Sequence, residues 1–320
     1  MRKILNFVKG AVSTKDLIPV LTNFHFYSGR VQGGNGRVTI DAPIDLGGVD
    51  ITVPAVPFLR AVDACDGEPI LNITEGGRLT VKKGKFRSTI PLSPQTDFPL
   101  IKISVNDDAL WKPAPGLLRV LRTIRPFIGE DASRPWACGA LFKEGYVYAT
   151  NNVVIVRIPW RMPESDAINV PAFAIDEILR IGEEPQAFMF DESSATLFYG
   201  ERWLRTQLFT VQWPDVDKFF GDVSLNCVPT GLLEAVRKVL PFCADAKFPS
   251  ITLNAEGVHT AEGTMGASVA GYELPTCRFR AEPLLLTLTH ATEIDLTKYP
   301  APVPFRGENG LQGVLVGLKA

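Results

Sequence analysis

Apolar residues recur along this chain at two spacings, one of three to four residues and one of two. The first spacing places Ile4, Leu5 and Val8 on one face, with Lys3 and Lys9 on the others. Such a stripe is typical of an amphipathic helix. The pattern predicts helices at 4–12, 54–65, 115–128, 171–181, 229–242 and 282–291. Short runs between turn residues predict strands at 23–27, 37–40, 49–53, 69–74, 78–82, 85–90, 137–142, 146–150, 153–158, 187–190, 195–199, 203–211, 250–254, 258–261, 266–269, 276–279, 293–295 and 311–318.

The predicted elements come in the same order three times, with a period of roughly 110 residues. Each copy has a helix, a group of strands, a second helix and further strands. The second helix begins at Val53-Pro54-Ala55, at Val170-Pro171-Ala172 and at Arg280-Ala281-Glu282-Pro283 in the three copies. Matches in one order at one offset indicate duplication. We predict domains at 1–105, 106–222 and 223–320, each an α+β unit with two helices packed on antiparallel sheet.

Composition excludes several classes of protein. The chain is 46% hydrophobic and 21% charged, as in ordinary globular proteins, and no apolar run reaches the ~18 residues of a membrane span. The charged N-terminus does not resemble a secretory signal, so we expect a cytoplasmic location without a membrane partner. The five cysteines form no Cys-x-x-Cys pair, which argues against a disulfide framework or a zinc site.

The first helix of every copy has a basic outer face. These basic residues are Lys3, Lys9, Arg119, Arg122, Arg125, Arg237 and Lys238. In the third copy the basic pair is predicted to lie opposite Leu233, Val236 and Leu240. A single face of this kind is usually only solvated. Its recurrence in three copies favours a shared role in contacting phosphates without reading bases, although the net charge is −2.

No set of residues has the spacing of a catalytic or metal site. His25, His259 and His290 are each isolated, and none has a ligand partner at metal-binding spacing. Gly33-Gly34-Asn35-Gly36 is predicted to be a turn and lacks the lysine of a phosphate-binding loop. We therefore expect no enzymatic activity, no metal and no cofactor. An enzyme whose site has no sequence signature remains an alternative.

Several short phrases, in order, resemble a known family. They are Lys15-Asp16-Leu17-Ile18-Pro19-Val20-Leu21, Val53-Pro54-Ala55, Thr96-Asp97-Phe98-Pro99, Gly139-Ala140-Leu141-Phe142, Tyr148-Ala149-Thr150 and Trp213-Pro214-Asp215. With the triplication, they make nearly the whole chain resemble the bacterial-type sliding clamp, the β subunit of DNA polymerase III. The trimmed loops and the divergence look like those of a phage- or plasmid-encoded member.

The resemblance implies three clamp domains in a crescent that closes into a ring as a head-to-tail homodimer. Such a ring encircles double-stranded DNA without sequence specificity and tethers a replicative polymerase. The polymerase and the clamp loader bind it through short peptide motifs. A clamp-like recruitment platform for transcription, repair or recombination proteins is the alternative function.

The resemblance also implies site residues. Lys15, Arg134 and Trp136 fall in loops that touch DNA. Apart from the resemblance, the basic residue Arg180 of a second helix is also predicted to contact DNA. The walls of the partner-peptide pocket would be Thr150, Val154, Ile155, Pro214, Lys218, Phe219, Val314, Val316 and Leu318. The dimer interface would include Phe86, Ile90, Phe242 and Cys243.

Two phrases depart from the family pattern. Asn151-Asn152-Val153-Val154 stands where typical members have Asp-Gly-His-Arg, and Val316-Gly317-Leu318-Lys319 replaces a C-terminal Met-Pro-x-Arg. Both lie in the predicted pocket. We therefore expect the groove to be retained with an altered peptide preference.

Overall fold

The computed structural model describes residues 1–15, 18–94, 97–162, 167–221, 223–243, 249–271 and 273–319, with position 107 described for its backbone alone. The chain forms two compact units. One contains Met1–Leu118 and Phe173–Leu208, and the other contains Arg119–Ala172 and Phe209–Ala320. The three domain spans stay a prediction.

All six predicted helices are present. They are α1 (Arg2–Val8), α2 (Ala55–Asp63), α3 (Leu117–Ile124), α4 (Ala172–Ile181), α5 (Leu232–Val239) and α6 (Ala281–His290). The first helix of each copy is shorter than predicted because its last turn tightens into a 3-10 helix. These turns are Lys9–Ala11, Arg125–Phe127 and Leu240–Cys243. None of the helices that the described ranges contain could cross a membrane.

The strands of the first unit form two antiparallel sheets. The larger has the order β12-β13-β14-β3-β2-β1-β4 and the smaller the order β5-β6-β7. Their bounds are β1 (Asn23–Tyr27), β2 (Arg30–Gly34), β3 (Val38–Pro43), β4 (Ile51–Pro54), β5 (Ile70–Thr74), β6 (Arg78–Lys83), β7 (Phe86–Pro91), β12 (Ala187–Phe190), β13 (Ser194–Tyr199) and β14 (Arg202–Gln207).

The second unit also has two antiparallel sheets, with the orders β11-β8-β9-β10-β22-β21-β20-β15 and β18-β17-β16-β19. Their bounds are β8 (Gly139–Lys143), β9 (Tyr146–Thr150), β10 (Val154–Pro159), β11 (Ile168–Pro171), β15 (Asn226–Cys227), β16 (Ser250–Asn254), β17 (Gly257–Thr260), β18 (Gly266–Ala267), β19 (Cys277–Arg280), β20 (Ala291–Ile294), β21 (Val303–Gly307) and β22 (Gln312–Leu315). The predicted mixture of helices and antiparallel sheet is confirmed.

The element order repeats three times as a helix, four strands, a helix and three strands, with β15 as an addition before α5. At two places the third strand of one copy pairs with the last strand of the next. β3 pairs with β14 through Ile40 and Leu204, and β10 pairs with β22 through Ile155 and Val314. Among the described strands, β7 and β18 occupy the same two places in the repeat but lie at sheet edges.

Of the turn predicted at Gly33-Gly34-Asn35-Gly36, the first two residues lie instead in β2, a strand that the sequence pattern missed. The turn is confined to Asn35 and Gly36, where Asn35 Oδ1 accepts the Val38 N–H at 2.9 Å. A Cβ atom on Gly33 would lie 2.8 Å from Val12 Cγ2 and 3.1 Å from Val8 Cγ1. Glycine is needed here because α1 and the turn after it cross the strand closely. The strands β11, β15 and β21 were also missed. The strands predicted at 203–211 and 311–318 end earlier, at Gln207 and Leu315.

The apolar face of α5 differs from the prediction. The structure buries Leu232, Ala235, Val236 and Val239 rather than the predicted stripe through Leu233, Val236 and Leu240. The stripe is therefore rotated by about one residue, or 100°. Within the stretch predicted as a helix at 115–128, the structure buries an apolar stripe that comprises Leu117, Leu118, Leu121, Ile124 and Ile128.

Candidate functional site: an apolar groove and basic helix faces

A groove of about 180 Å³ lies within the second unit. Its walls come from the end of β9, the start of β10, the end of β22, a 3-10 turn before β8 and the segment 214–219. The lining residues are Arg134, Trp136, Thr150, Asn152, Val153, Val154, Ile155, Pro214, Val216, Phe219, Pro302, Val314 and Val316. The lining is mostly apolar, and Arg134 is its one charged residue among those described.

The structure brings together most of the residues predicted for this pocket. Lys218 and Leu318 are the predicted residues that do not line it. Leu318 is held elsewhere, since its N–H donates to the Arg278 carbonyl at 2.8 Å and its carbonyl accepts from the Tyr299 hydroxyl. Lys218 is exposed and places its ammonium 5.6 Å from the Phe219 ring centre. The predicted pocket therefore lacks these two side chains.

Arg134 and Trp136 were predicted to contact DNA, but both lie on the groove. Trp136 belongs to the 3-10 turn Pro135–Cys138, and its ring packs edge-on against Trp213 with centres 5.3 Å apart. A sequence pattern of period two could not indicate this placement, because the turn lies outside the strands. Asn152 and Val153 of the divergent phrase line the groove as well. Val216 and Pro302 also line it and were not predicted.

The departure at Asn151-Asn152 forms a tight turn at one end of the groove. The Asn151 side-chain oxygen accepts the N–H groups of Val153 and Val154 at 3.1 and 2.8 Å. Asn152 has a φ of 70°, a conformation that asparagine tolerates better than most residues. The Thr150 hydroxyl donates to the Val154 carbonyl at 2.8 Å. The two asparagines thus hold the turn.

The C-terminal tail forms another wall. After β22 the Val316 N–H donates to the Val153 carbonyl at 2.9 Å, which extends the pairing of β10 and β22 by one bond. The Val316 side chain remains 46% exposed at the groove. Gly317 has no space for a side chain, since a Cβ atom there would lie 2.6 Å from the Tyr299 ring. The backbone on either side of Val316 therefore holds its side chain at the groove.

Beneath the groove, Asp217 fastens the segment 214–219 to the sheet. Its carboxylate accepts from Lys143 Nζ at 2.8 Å and from the Tyr148 hydroxyl at 2.7 Å. The bond from Lys143, followed by that from Tyr148, lowers the pKa of Asp217. Burial, aided by the same carboxylate, raises the pKa of Tyr148. At neutral pH the carboxylate is therefore ionised and the phenol is protonated.

The predicted basic faces are exposed on all three first helices. Lys3, Lys9, Arg119, Arg122, Arg237 and Lys238 are exposed, as is Lys15, while Arg125 is half-buried. Arg119 Nη1 donates to Asn309 Oδ1 at 2.6 Å, and Arg237 Nη1 donates to Glu234 Oε1 at 2.8 Å. On each helix, the basic side chains lie on the side opposite the buried apolar residues.

Arg180, for which the DNA contact stays a prediction, makes hydrogen bonds within the first unit. Its Nη1 and Nη2 atoms donate to the carbonyls of Asn6 and Phe7 at 2.8 and 2.7 Å, and its Nε donates to Glu177 at 2.6 Å. These carbonyls lie at the C-terminal end of α1, where a cation is stabilising. We therefore assign Arg180 to holding α1 in place.

The predicted interface residues divide into accessible and buried ones. Phe86 is half-buried on the edge strand β7, whereas Ile90 of the same strand is buried. Phe242 is 58% exposed, whereas Cys243 is buried. Ile90 and Cys243 therefore pack inside their own units and do not reach a surface. Phe242 follows α5 in the position that Phe127 takes after α3, and Phe127 is 0% exposed with its ring centre 5.0 Å from that of His290.

No metal-binding group of three or more His, Cys, Asp or Glu residues occurs within the described ranges. All five cysteines are free thiols. His25 is buried and hydrogen-bonded to the Thr52 hydroxyl at 2.9 Å. Burial lowers the pKa of His25. It stacks between Tyr27 and Phe98, so its contacts are those of a core residue.

No family model and no curated protein matches the sequence. Solved structures do match. The Bacillus subtilis DNA polymerase sliding clamp is similar with a TM-score of 0.82 and 16% identity, over 100% of this chain and 97% of that chain. A C. crescentus β sliding clamp, with polyethylene glycol bound to a proposed β-motif tethering region, has a TM-score of 0.80 and 18% identity over 100% and 96%. A Pseudomonas aeruginosa sliding clamp (DNA polymerase III subunit beta) bound to griselimycin has a TM-score of 0.79 and 18% identity, over 100% of this chain and 97% of that chain. The chain therefore has the fold of the bacterial DNA polymerase sliding clamps.

Proposed function

We propose that this protein is a DNA sliding clamp, a non-enzymatic processivity factor that encircles duplex DNA and tethers a replicative polymerase. The observation that carries the proposal is the clamp fold along 100% of the chain, with a TM-score of 0.82 at 16% identity. It acts in the cytoplasm. A phage or plasmid origin fits the low identity, and neighbouring genes for a polymerase or a loader would support it.

The ring is proposed to be a head-to-tail homodimer of three-domain crescents. Within the chain, β14 pairs with β3 and β22 pairs with β10, each time joining one copy to the copy before it. The same junction between two molecules joins β7 of one chain to β18 of the other. Exposed strand edges of this kind are a liability unless they are paired. A heterologous contact that closes after two molecules removes both edges.

Topological retention distinguishes a clamp from an ordinary DNA-binding protein. The protein is incubated with nicked circular plasmid, washed in high salt and compared with the same plasmid linearised afterwards. We expect the linear DNA to lose the protein, because a ring slides off a free end while its salt-sensitive contacts are weak. Equal retention on circular and linear DNA contradicts encirclement.

The basic faces of the first helices are proposed to contact DNA phosphates. Changing Arg119 and Arg122 to Glu removes two such contacts from one helix. Each contact contributes about 0.9 to the slope of log K against log salt concentration. We therefore expect the slope for a short duplex to fall in magnitude by about two, as measured by fluorescence anisotropy.

The matched control is the double variant Lys112→Glu and Lys298→Glu, which makes the same charge change at exposed positions outside the helices. It is expected to leave most of the salt dependence unchanged. An equal loss in both double variants would mean that net charge, rather than the helix face, determines DNA binding.

The groove is proposed to bind a short apolar peptide of the polymerase or of a clamp loader. Its apolar lining and the extended tail at its side support a peptide that lies partly extended. The P. aeruginosa clamp bound to griselimycin and the C. crescentus clamp with its proposed tethering region are similar folds that accept ligands.

Val316→Asp is expected to weaken peptide binding at least about tenfold, because it places a charge in an apolar, desolvating site. The probe is the tightest eight-residue peptide that a random library yields on the wild type, measured by calorimetry. Val211→Asp is the matched control, since Val211 is 44% exposed in the same unit but does not line the groove. Unchanged affinity in Val316→Asp would remove the groove from the proposal.

A further inference from the structure

One wall of the groove, the segment 213–220, lies on the sheet without being a strand of it. Its described backbone hydrogen bonds are local, from Phe219 N–H to Val216 O at 3.1 Å and from Phe220 N–H to Asp217 O at 3.0 Å. None of the described strands pairs with it. The segment must therefore be held by its side chains.

Arg157 of β10 is the centre of one such attachment. Its guanidinium lies 4.4 Å from the ring centre of Tyr146 and 4.5 Å from that of Phe220. A planar guanidinium between two aromatic faces gains cation–π attraction from both. Its Nε donates to Gln312 Oε1 of β22 at 2.8 Å, which fixes the plane of the group. The wall residue Phe220 is thereby bound to the strands on which the groove is built.

Asp217 provides the second attachment, through Lys143 and Tyr148 as described above. Between the two attachments, Val216 is buried in a cluster with Leu141, Tyr148, Ile155 and Val314. Val216 and its neighbour Phe219 both line the groove. The contacts of Asp217 and Phe220 with the sheet therefore determine the positions of Val216 and Phe219 in the groove.

We propose that Arg157 is a positioning residue for the groove, and that its stacking between Tyr146 and Phe220 holds the wall in its ligand-binding position. This inference rests on the proposed peptide-binding function. A ligand that binds to a preformed wall does not have to order the segment. The free energy needed to order it would otherwise reduce the free energy of binding. Arg157 itself is not a lining residue, so its effect must pass through Phe220 and the segment.

The experiment compares Arg157→Gln with the wild type, using the selected eight-residue peptide. We expect the affinity to fall roughly threefold to thirtyfold, the range of one or two lost cation–π contacts. Most of the change should be a faster dissociation rate, measured by surface plasmon resonance well below the melting temperature. Arg157→Lys keeps the charge but not the planar stacking, and is expected to be intermediate.

Arg202→Gln is the matched control. Arg202 also places its guanidinium over an aromatic ring, 4.6 Å from the centre of Phe7, and pairs with Glu183 at 2.6 Å, but it lies in the other unit. It should lower the melting temperature without changing the peptide dissociation rate. A purely structural role for Arg157 predicts the same behaviour for Arg157→Gln, and that result would overturn the inference.

Hydrogen exchange without ligand gives a second measurement. The amides of Phe219 and Phe220 are expected to exchange faster in Arg157→Gln, while those of β10 stay protected. Unchanged exchange and unchanged dissociation together would refute the inference and leave the groove intact. If Val316→Asp binds the selected peptide with unchanged affinity, the groove is not the peptide-binding site. The proposed function of the groove and this inference would then both be refuted.

Discussion

Replacing Phe242 with Asp is expected to leave each chain folded but to disrupt the proposed dimer, so that the variant is monomeric where the wild type is expected to be dimeric. Phe242 is 58% exposed, so the change should cost the isolated chain little stability. A buried aromatic residue at the centre of an interface contributes about 2–4 kcal/mol to binding. This corresponds to roughly 30-fold to 1,000-fold in the dissociation constant, before the added cost of burying a charge.

The physical reason lies in the repeat. Phe127 and Phe242 are each the third residue of a 3-10 turn whose second residue is proline, in Arg125–Phe127 and in Leu240–Cys243. Phe127 is fully buried against His290 of the following copy. Phe242 of the third copy, by contrast, is 58% exposed. In the proposed ring, the first copy of a second molecule covers it.

Sedimentation velocity at micromolar concentration measures the outcome. Phe219→Asp is the control, since Phe219 is also an exposed phenylalanine of the second unit but lines the groove. It should remain dimeric and lose peptide binding instead. A dimeric Phe242→Asp variant, or a monomeric wild type, would contradict the proposed closure.

The helices were predictable because their signal is local. A stripe such as Leu117, Leu121 and Ile124 is written at a spacing of three to four residues, and the structure buries it. The last turns were not predictable, since the switch to a 3-10 helix depends on packing. The strand β2 was missed because its glycines resemble a turn, although Gly33 is required by the close crossing of α1.

The groove was predictable in outline from the resemblance, but not in its details. The resemblance places Arg134 and Trp136 in a loop that contacts DNA, and this stays a prediction. Their place on the groove beside Thr150 was not predicted, because nothing in the sequence indicates which side of the 3-10 turn faces it. Arg180 was assigned to DNA from its charge alone. Its carbonyl partners on α1 are more than 170 residues away in the chain, a separation that no periodicity can report.

A buried ionic network in the first unit gives the second large effect. Asp41 of β3 is 0% exposed. Its carboxylate accepts from Tyr27 Oη at 2.7 Å, from Arg30 Nε at 2.5 Å and from Gln32 Nε2 at 3.1 Å. Arg30 also donates to the Glu201 carbonyl at 2.6 Å, in the hairpin that joins β13 to β14. The network therefore ties the first copy to the strands of the second.

Asp41→Ala is expected to lower the free energy of unfolding of this unit by about 2–4 kcal/mol, because it removes the acceptor shared by the half-buried Arg30 and Tyr27 and the buried Gln32. Hydrogen exchange of the β3 amides in increasing urea measures the loss.

Asp63→Ala is the control. Asp63 pairs with Arg2 at 3.2 Å, but both side chains are about half exposed, and such pairs contribute at most about 1 kcal/mol. Asp41→Asn keeps an acceptor while removing the charge, and should lie between the two. A loss below about 1 kcal/mol in Asp41→Ala would mean that water replaces the carboxylate, and that the junction of β3 and β14 is held by its backbone bonds alone.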